Sequence, residues 1–414
     1  MLDIKRLLNH LSALCFTLFL APTWGVAQGP LSPLDIDVKQ PPMGWNSWNR
    51  FGCDVSEQMI REMADAMVES GMQDAGYEYI VIDDCWQIGR DDQGNIVCDP
   101  ERFPSGMKAL GDYIHAKGLK FGIYSCAGAK TCANRPGSRG YQFQDAKKYA
   151  EWGVDFLKYD WCANKGQNAQ AAYLTMRDAL DATGRPMVLS ICEWGYSEPW
   201  KWGKGIGQLW RVTNDIQDCW DCEFEWEGVG VINIIDQMAD LRAYSQEGAY
   251  NDPDMLEVGN GGMNHEQYKS HFAMWCMLNA PLFAGNDLRS MDKKTQEILL
   301  NKELIALTKD DNNQQAFRAI HSQQYDLWVK SMTDHQYAFA FMNRTAEAVD
   351  IHYDWQKYII ADKAFGWHQV KIKPTAKIRD LWLHKTVGSC NEPMDYQLKP
   401  FETLVVLVSD EESF

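Results

Sequence analysis

The sequence predicts a (β/α)8 barrel followed by an antiparallel β-sandwich. Three observations predict it. Eight short β-like runs alternate with amphipathic stretches through the first three quarters of the chain. Those runs tend to end in charged residues. Beyond about residue 308, strand-like runs follow one another with no helical pattern between them. Alternating βα units close into a parallel barrel, whereas consecutive strands fold into antiparallel sheets.

The N-terminus reads as a processing segment. Lys5 and Arg6 supply positive charge, and residues 11–21 form an apolar run too short to span a bilayer. Gly25 and Ala27 are the small residues a signal peptidase needs, so residues 1–27 are expected to be a signal peptide. Leu14 before Cys15 is too large for a lipoprotein cleavage site; a retained membrane anchor is the alternative. The mature protein is expected to be secreted or periplasmic, with no membrane anchor after processing.

The barrel is expected over residues 28–308. Its β-like runs are 43–48, 77–84, 120–125, 154–160, 187–193, 208–215, 249–255 and 281–287. Helical spacing fills 56–74, 105–117, 141–152, 168–182, 231–247 and 264–278. The first of these shows the signature clearly: Ser56 as N-cap, then Met59, Met63, Met67 and Val68 on one face. An open doubly wound sheet would use the same units and is the competing fold. The sandwich is expected over residues 309–414, with strands at 327–332, 336–343, 348–354, 369–373, 377–382 and 403–409. Asn343-Arg344-Thr345 matches a glycosylation sequon, a pattern short enough to arise by chance.

Composition narrows the function classes. The chain carries 40 Lys and Arg against 57 Asp and Glu, a net charge of −17, which argues against nucleic acid and anionic membranes as partners. Twelve cysteines include Cys15, so eleven would follow processing, and at least one must stay outside intramolecular pairs. Cys219 and Cys222 form a C-x-x-C with no second C-x-x-C and no nearby His pair, which argues against structural zinc. Seventeen tryptophans suit a protein that packs sugar C–H faces on aromatic rings, although most must be core.

The carboxyl ends of barrel strands form the face that carries active sites. Asp83 and Asp84 end the second run, Lys158 and Asp160 the fourth, Glu193 the fifth, Arg211, Thr213 and Asp215 the sixth, and Asp252 and Asp254 the seventh. At period two, Lys158 shares a face with Asp160, and Arg211 with Thr213 and Asp215. If those faces point inward, two carboxylates flanked by cations meet in one cup. That set fits glycosidic cleavage, with one carboxylate attacking the anomeric carbon and the other protonating the leaving oxygen. Blander roles compete. Asp252 and Asp287 could be helix N-caps, Glu193 a buried ion-pair partner, and Asp83-Asp84 part of a cation site. Lys158 could form a Schiff base.

At these residues the chain resembles glycoside hydrolase family 27, the α-galactosidases and α-N-acetylgalactosaminidases. The matching motifs are Met43-Gly44-Trp45-Asn46-Ser47-Trp48, Ile82-Asp83-Asp84-Cys85-Trp86, Leu157-Lys158-Tyr159-Asp160, Cys192-Glu193-Trp194-Gly195 and Asn251-Asp252-Pro253-Asp254-Met255-Leu256. Five motifs in order at barrel strand ends make a specific match.

The resemblance implies a retaining exo-hydrolase that releases terminal α-D-galactose from oligosaccharides or polysaccharides through a covalent intermediate. It implies Asp160 as nucleophile and Asp215 as acid/base. Asp83 and Asp84 would grip the 4- and 6-hydroxyls beside Trp48, and Lys158 the 3- and 4-hydroxyls. Glu193 and Arg211, with Asp254 near them, would surround the 2-position, and Trp194 would also bind substrate. Tyr124 would stand beside the nucleophile. Disulfides Cys53–Cys85 and Cys132–Cys162 are implied, and no metal or organic cofactor. A Glu at 193 fills space that an N-acetyl group would need, which favours galactose. The Asp83-Asp84 pair favours a sugar with a C6 hydroxyl over β-L-arabinopyranose. Cys219 replaces a common Ser, and the cysteine sometimes found before the Arg211 region is absent, so Cys192 is expected to lack that bridge. A sugar-binding protein without turnover is the alternative from another class.

Overall fold

The computed structural model describes residues 36, 38–225, 227–358, 360–362, 364 and 368–410. The signal-peptide reading of residues 1–27 lies outside the described residues.

Eight parallel strands form one sheet: β1 (Met43–Asn46), β2 (Tyr79–Ile82), β3 (Lys120–Cys126), β4 (Phe156–Asp160), β5 (Val188–Cys192), β6 (Leu209–Arg211), β7 (Tyr250–Asp252) and β8 (Leu282–Ala284). Each is hydrogen-bonded to the next in order from β1 to β7, and β8 pairs with β1. The remaining seam, between β7 and β8, is bridged by Leu256. Its N–H donates to Phe283 O at 2.7 Å, and its carbonyl accepts from Gly285 N at 3.0 Å. The expected barrel is what forms, and the open sheet is excluded.

Side chains alternate across the strands as the pleat requires. Tyr79, Val81, Phe156, Val188, Leu209, Tyr250 and Phe283 fill the barrel interior. Ile80, Ile82, Leu157, Tyr159, Leu189 and Ile191 face the helices. A Cβ on Gly44 would lie 2.5 Å from Tyr79 O and 2.9 Å from the Phe283 ring, so only Gly lets those interior rings close over β1. With the lower interior plugged by apolar side chains, Lys158 and Asp160 open upward at the carboxyl end.

The surrounding helices obey their caps. Ser56 Oγ accepts from Met59 N ahead of Glu57–Glu69, and Asn264 and Gln267 make a reciprocal capping box ahead of His265–Met277. The helix expected over 231–247 is shorter. It runs Val231–Met238, followed by a 3-10 turn at Arg242–Tyr244. Leaving the helix lets Arg242 reach Asp362, with Nη2 at 2.5 Å in a buried ion pair. Helices Lys293–Leu299 and Lys302–Thr308, and a hairpin of Gln87–Arg90 with Ile96–Cys98, were not expected.

From Phe317 the chain is antiparallel. A six-stranded sheet runs in the spatial order Phe317–His321, Tyr325–Ser331, Tyr337–Asn343, Thr403–Ser409, Lys377–Asp380, Lys385–Ser389. Val349–Tyr353 pairs with Met394–Leu398, and Ile360–Asp362 with His368–Val370. Leu327, Val329, Phe339, Phe341 and Val406 face an inner core with Tyr353 and Trp355. Trp328, Ala338, Ala340, Met342 and Val405 join the core of the barrel. The helix His265–Met277 lies at that junction and is buried on most of its circumference. Asn343 of the sequon is fully buried, its Nδ2 donating to Glu347 O and Lys399 O at 2.7 Å, so it is no glycan acceptor in the folded chain.

Candidate active site

The strand ends and the loops after them enclose a cavity of about 340 Å³ at the carboxyl face of the barrel. It is lined by Trp48, Asp83, Asp84, Tyr124, Lys158, Asp160, Arg211, Asp215 and Asp254 of the expected set. The volume is at the small end for ligand pockets.

Asp160 closes β4 and is buried. Its Oδ2 accepts from the Tyr124 hydroxyl at 2.7 Å, and its Oδ1 from Trp161 N at 2.8 Å. Burial pushes this carboxyl up to about 7, against the pull of Lys158 and with a push from Asp215. The sulfur of Cys132 lies 3.1 Å from Oδ2. Cys132 and Cys162 are joined in a disulfide, so this cluster offers no thiolate to a metal.

Lys158 sits two residues earlier on the same face. Its Nζ lies 2.8 Å from Asp83 Oδ2, which also accepts from Asn46 Nδ2 at 2.8 Å. Desolvation of the ammonium is outweighed by the charges of Asp83, Asp160 and Asp254, which hold it protonated. A Schiff-base lysine needs the opposite, a depressed ammonium, so the lyase reading fails on electrostatics. Asp84 is fixed by Ala133 N at 2.9 Å and Cys85 N at 2.7 Å, and burial raises its carboxyl. Cys53 and Cys85 are joined in a disulfide.

Arg211, at the end of β6, is buried. Its Nη2 lies 2.8 Å from Asp254 Oδ2 and 3.1 Å from Asp215 Oδ1. Asp254 also accepts from Ile216 N at 2.9 Å and Met255 N at 2.8 Å. Cys85, Trp194 and Asp254 adopt left-handed backbone, with φ of 78°, 58° and 78°. Such non-glycine strain gathers at functional sites, and here each case follows a barrel strand.

Asp215 reaches the cavity by a different route from the expected one. β6 stops at Arg211, so period-two parity does not extend through Thr213 to Asp215. The ion pair to Arg211, and the bond from Val229 N to the Asp215 carbonyl at 2.9 Å, place it instead. Its side chain is 45 % exposed, at the mouth.

Glu193 and Trp194 do not line the cavity. Glu193 is buried, and its Oε2 turns to Ser197, accepting from N and Oγ at 2.8 Å each. The loop after β5 turns back at Trp194 and holds this one oxygen, while Oε1 is buried without a hydrogen-bond partner among the described residues. Beneath the cavity, Cys192 Sγ lies 3.7 Å from Arg211 Nη1 and is a free thiol. Asp287 caps a short 3-10 turn, accepting from Arg289 N, whereas Asp252 accepts from Asp254 N.

The sequence reading missed Asn49, Gln217, Met255 and Glu257 among the lining residues. Glu257 is buried between Asn49 Nδ2 and Asn260 Nδ2, both at 2.5 Å, and burial lifts its carboxyl to about 8. It follows the seam residue Leu256 directly, and only knowledge of that seam could have placed it. The sequence reading also missed the disulfide between Cys219 and Cys222 in the loop after Asp215.

Comparison with known proteins agrees with this geometry. Residues 40–310 match the family described as Alpha galactosidase A, and residues 322–408 match the alpha galactosidase C-terminal beta sandwich domain. Alpha-galactosidase A of Cellvibrio japonicus is 49 % identical, over 89 % of this chain and 92 % of its own length. The crystal structure of alpha-galactosidase I from Mortierella vinacea superposes with a TM-score of 0.84 at 34 % identity, covering 90 % of this chain and 98 % of that one. The Saccharomyces cerevisiae alpha-galactosidase solved with raffinose gives 0.82 at 28 % identity, covering 91 % and 99 %. The chain belongs to the alpha-galactosidase family, glycoside hydrolase family 27, by both its barrel and its C-terminal sandwich.

Proposed function

We propose that this protein is a retaining exo-α-galactosidase. Asp160 is the nucleophile and Asp215 the general acid/base. One observation carries the reading: both carboxylates face a single-sugar-sized cavity, one buried and gripped, the other half-open at the mouth.

Two hydrogen bonds aim Asp160 at the anomeric carbon. As it attacks, the C–O bond to the leaving group breaks, and Asp215 passes its proton to the departing oxygen. The galactosyl–Asp160 ester then forms. Water enters, Asp215 takes its proton, and the ester is cleaved with the original configuration restored. Arg211 opposes charge on both Asp215 and Asp254, which limits repulsion inside a ring of acids. Asp83, Asp84 and Lys158 supply fixed acceptors and a donor for the hydroxyls on the far side of the ring, with Trp48 as wall. Preference for a sugar with a C6 hydroxyl over an arabinopyranose rests on that Asp83-Asp84 pair; Glu193, with Oε2 on Ser197, does not line the cavity. We also propose that residues 28–308 form the catalytic domain and 309–414 the C-terminal one, and that residues 1–27 direct export. Among the described residues, no helix is long and apolar enough to cross a membrane.

The decisive experiment follows an aryl α-galactoside by proton NMR. The first-formed sugar is expected to be α-galactose; β-galactose appearing first would refute the mechanism. Aryl α-N-acetylgalactosaminide and β-L-arabinopyranoside, run in parallel, test the substrate assignment.

A further inference from the structure

We propose that Asp218 and Tyr268 are positioning residues for Asp215: together they latch the loop that carries it to the loop after β7. This role rests on Asp215 being the acid/base.

Asp215 depends on outside support. It lies beyond the end of β6, and its side chain is 45 % exposed. Among the described residues Arg211 is its one side-chain partner, at 3.1 Å. The same Arg211 Nη2 also serves Asp254 at 2.8 Å and Thr213 O at 3.1 Å. A general acid must present its proton at the leaving oxygen within hydrogen-bond reach, and small misplacements are costly. One shared contact on an open carboxylate does not fix that position, so the backbone must.

The backbone after Asp215 is tied down residue by residue. Ile216 N donates to Asp254 Oδ2 at 2.9 Å, and Gln217 N to Val229 O at 2.8 Å. Asp218 then leaves the cavity lining and turns to the loop after β7. Its Oδ2 accepts from Gly262 N at 2.5 Å, and both of its oxygens lie 2.9 Å from the Tyr268 hydroxyl that donates to them. That hydroxyl accepts in turn from Gly261 N at 2.5 Å and Met263 N at 3.3 Å. One phenol oxygen therefore gathers the β7 loop and joins it to Asp218. Burial raises the Asp218 carboxyl, and the Gly262 and Tyr268 donors oppose that rise.

The anchor is stiff and the fit is close. Tyr268 is buried on the helix His265–Met277, whose first turn is closed by the Asn264–Gln267 capping box. A Cβ on Gly262 would lie 2.1 Å from Asp218 O and 2.9 Å from its carboxylate, so only glycine lets the two loops touch.

The test compares kcat/KM on methyl α-galactoside, whose leaving group must be protonated, with 2,4-dinitrophenyl α-galactoside, whose leaving group need not be. Losing a general acid outright costs about 10²–10⁴-fold, and a misaimed one should cost part of that. Tyr268→Phe keeps the ring, and is expected to lower the methyl galactoside value about ten-fold and the dinitrophenyl value less than about two-fold. Asp218→Ala should show the same split, and Asp218→Asn, which keeps an acceptor oxygen, should recover part of the loss. The double variant Tyr268→Phe/Asp218→Ala should lose no more than Asp218→Ala alone, because both act through one contact. Equal losses on the two substrates, no loss on either, or multiplying losses in the double variant would overturn the latch. Asp215→Ala is run beside them. If it loses equally on both substrates, the acid/base reading falls; if it discriminates and Tyr268→Phe does not, only the latch falls. Retained turnover of the dinitrophenyl substrate shows that a variant is folded.

Discussion

Replacing Tyr124 by Phe removes one oxygen from a fully buried ring and should shift the pH dependence of the enzyme upward. The lost group is the hydroxyl that donates to Asp160 Oδ2 at 2.7 Å. Packing of the ring is unaffected, and the Trp161 N–H and Lys158 remain. A hydrogen bond to a charged group stabilises it by about 1.5–3 kcal/mol. Taking the lower end, because two other stabilising groups survive, and 1.36 kcal/mol per pH unit, the Asp160 carboxyl should rise by about one unit. It already stands near 7. The sign follows from the proposed role: a nucleophile must be ionised, so raising it moves the acid limb of kcat/KM toward higher pH. The assay is kcat/KM for an aryl α-galactoside across pH 4–9. The expected profile has its acid limb about one unit above wild type, with a similar plateau. A limb that stays put while the plateau falls would refute the assignment, because the hydroxyl would then act on something other than the charge of Asp160.

Other expectations are as direct. Asp160→Ala should abolish turnover, whereas Asp215→Ala should spare aryl galactosides with good leaving groups far more than oligosaccharides; parallel losses on both substrates would contradict the acid role. Lys158→Met leaves Asp83 buried without its cation and should lower apparent stability by about 3 kcal/mol in urea, with kcat/KM falling too; unchanged stability would mean water replaces the ammonium. Lys330 is buried against Asn279, Nζ to Oδ1 at 2.8 Å, and burial lowers its ammonium to about 7. Between about 7 and the ordinary 10.5, the unfolded chain holds a proton that the folded chain has lost, so this group makes stability rise with pH across that window. Lys330→Met should remove that rise, read as the difference between the two proteins' melting temperatures from pH 7 to 9.5. An identical slope would refute it.

Much of the molecule was legible in the residues. The helical spacing after Ser56 and the eight short apolar runs report local geometry, and local geometry is periodic in sequence. Lys158 and Asp160 were legible for the same reason, since two residues on one strand share a face wherever the strand goes. The motif match added the proposed roles, and the pairings of Cys53 with Cys85 and Cys132 with Cys162 that the fold contains. Legibility stopped where the chain left its regular elements. Asp215 lies beyond the end of β6, so a turn and an ion pair place it, not a period of two. The resemblance gave Glu193 to the sugar; in the fold the turn at Trp194 sets its Oε2 on Ser197, a contact that no local pattern announces. Glu257 lines the cavity only because Leu256 closes the barrel between two strands about thirty residues apart in sequence. By itself the sequence determined which carboxylates belong to the barrel face and which family they come from. The tertiary structure alone decided which of them point into the cavity, because side-chain direction in a loop depends on long-range bonds that no local pattern records.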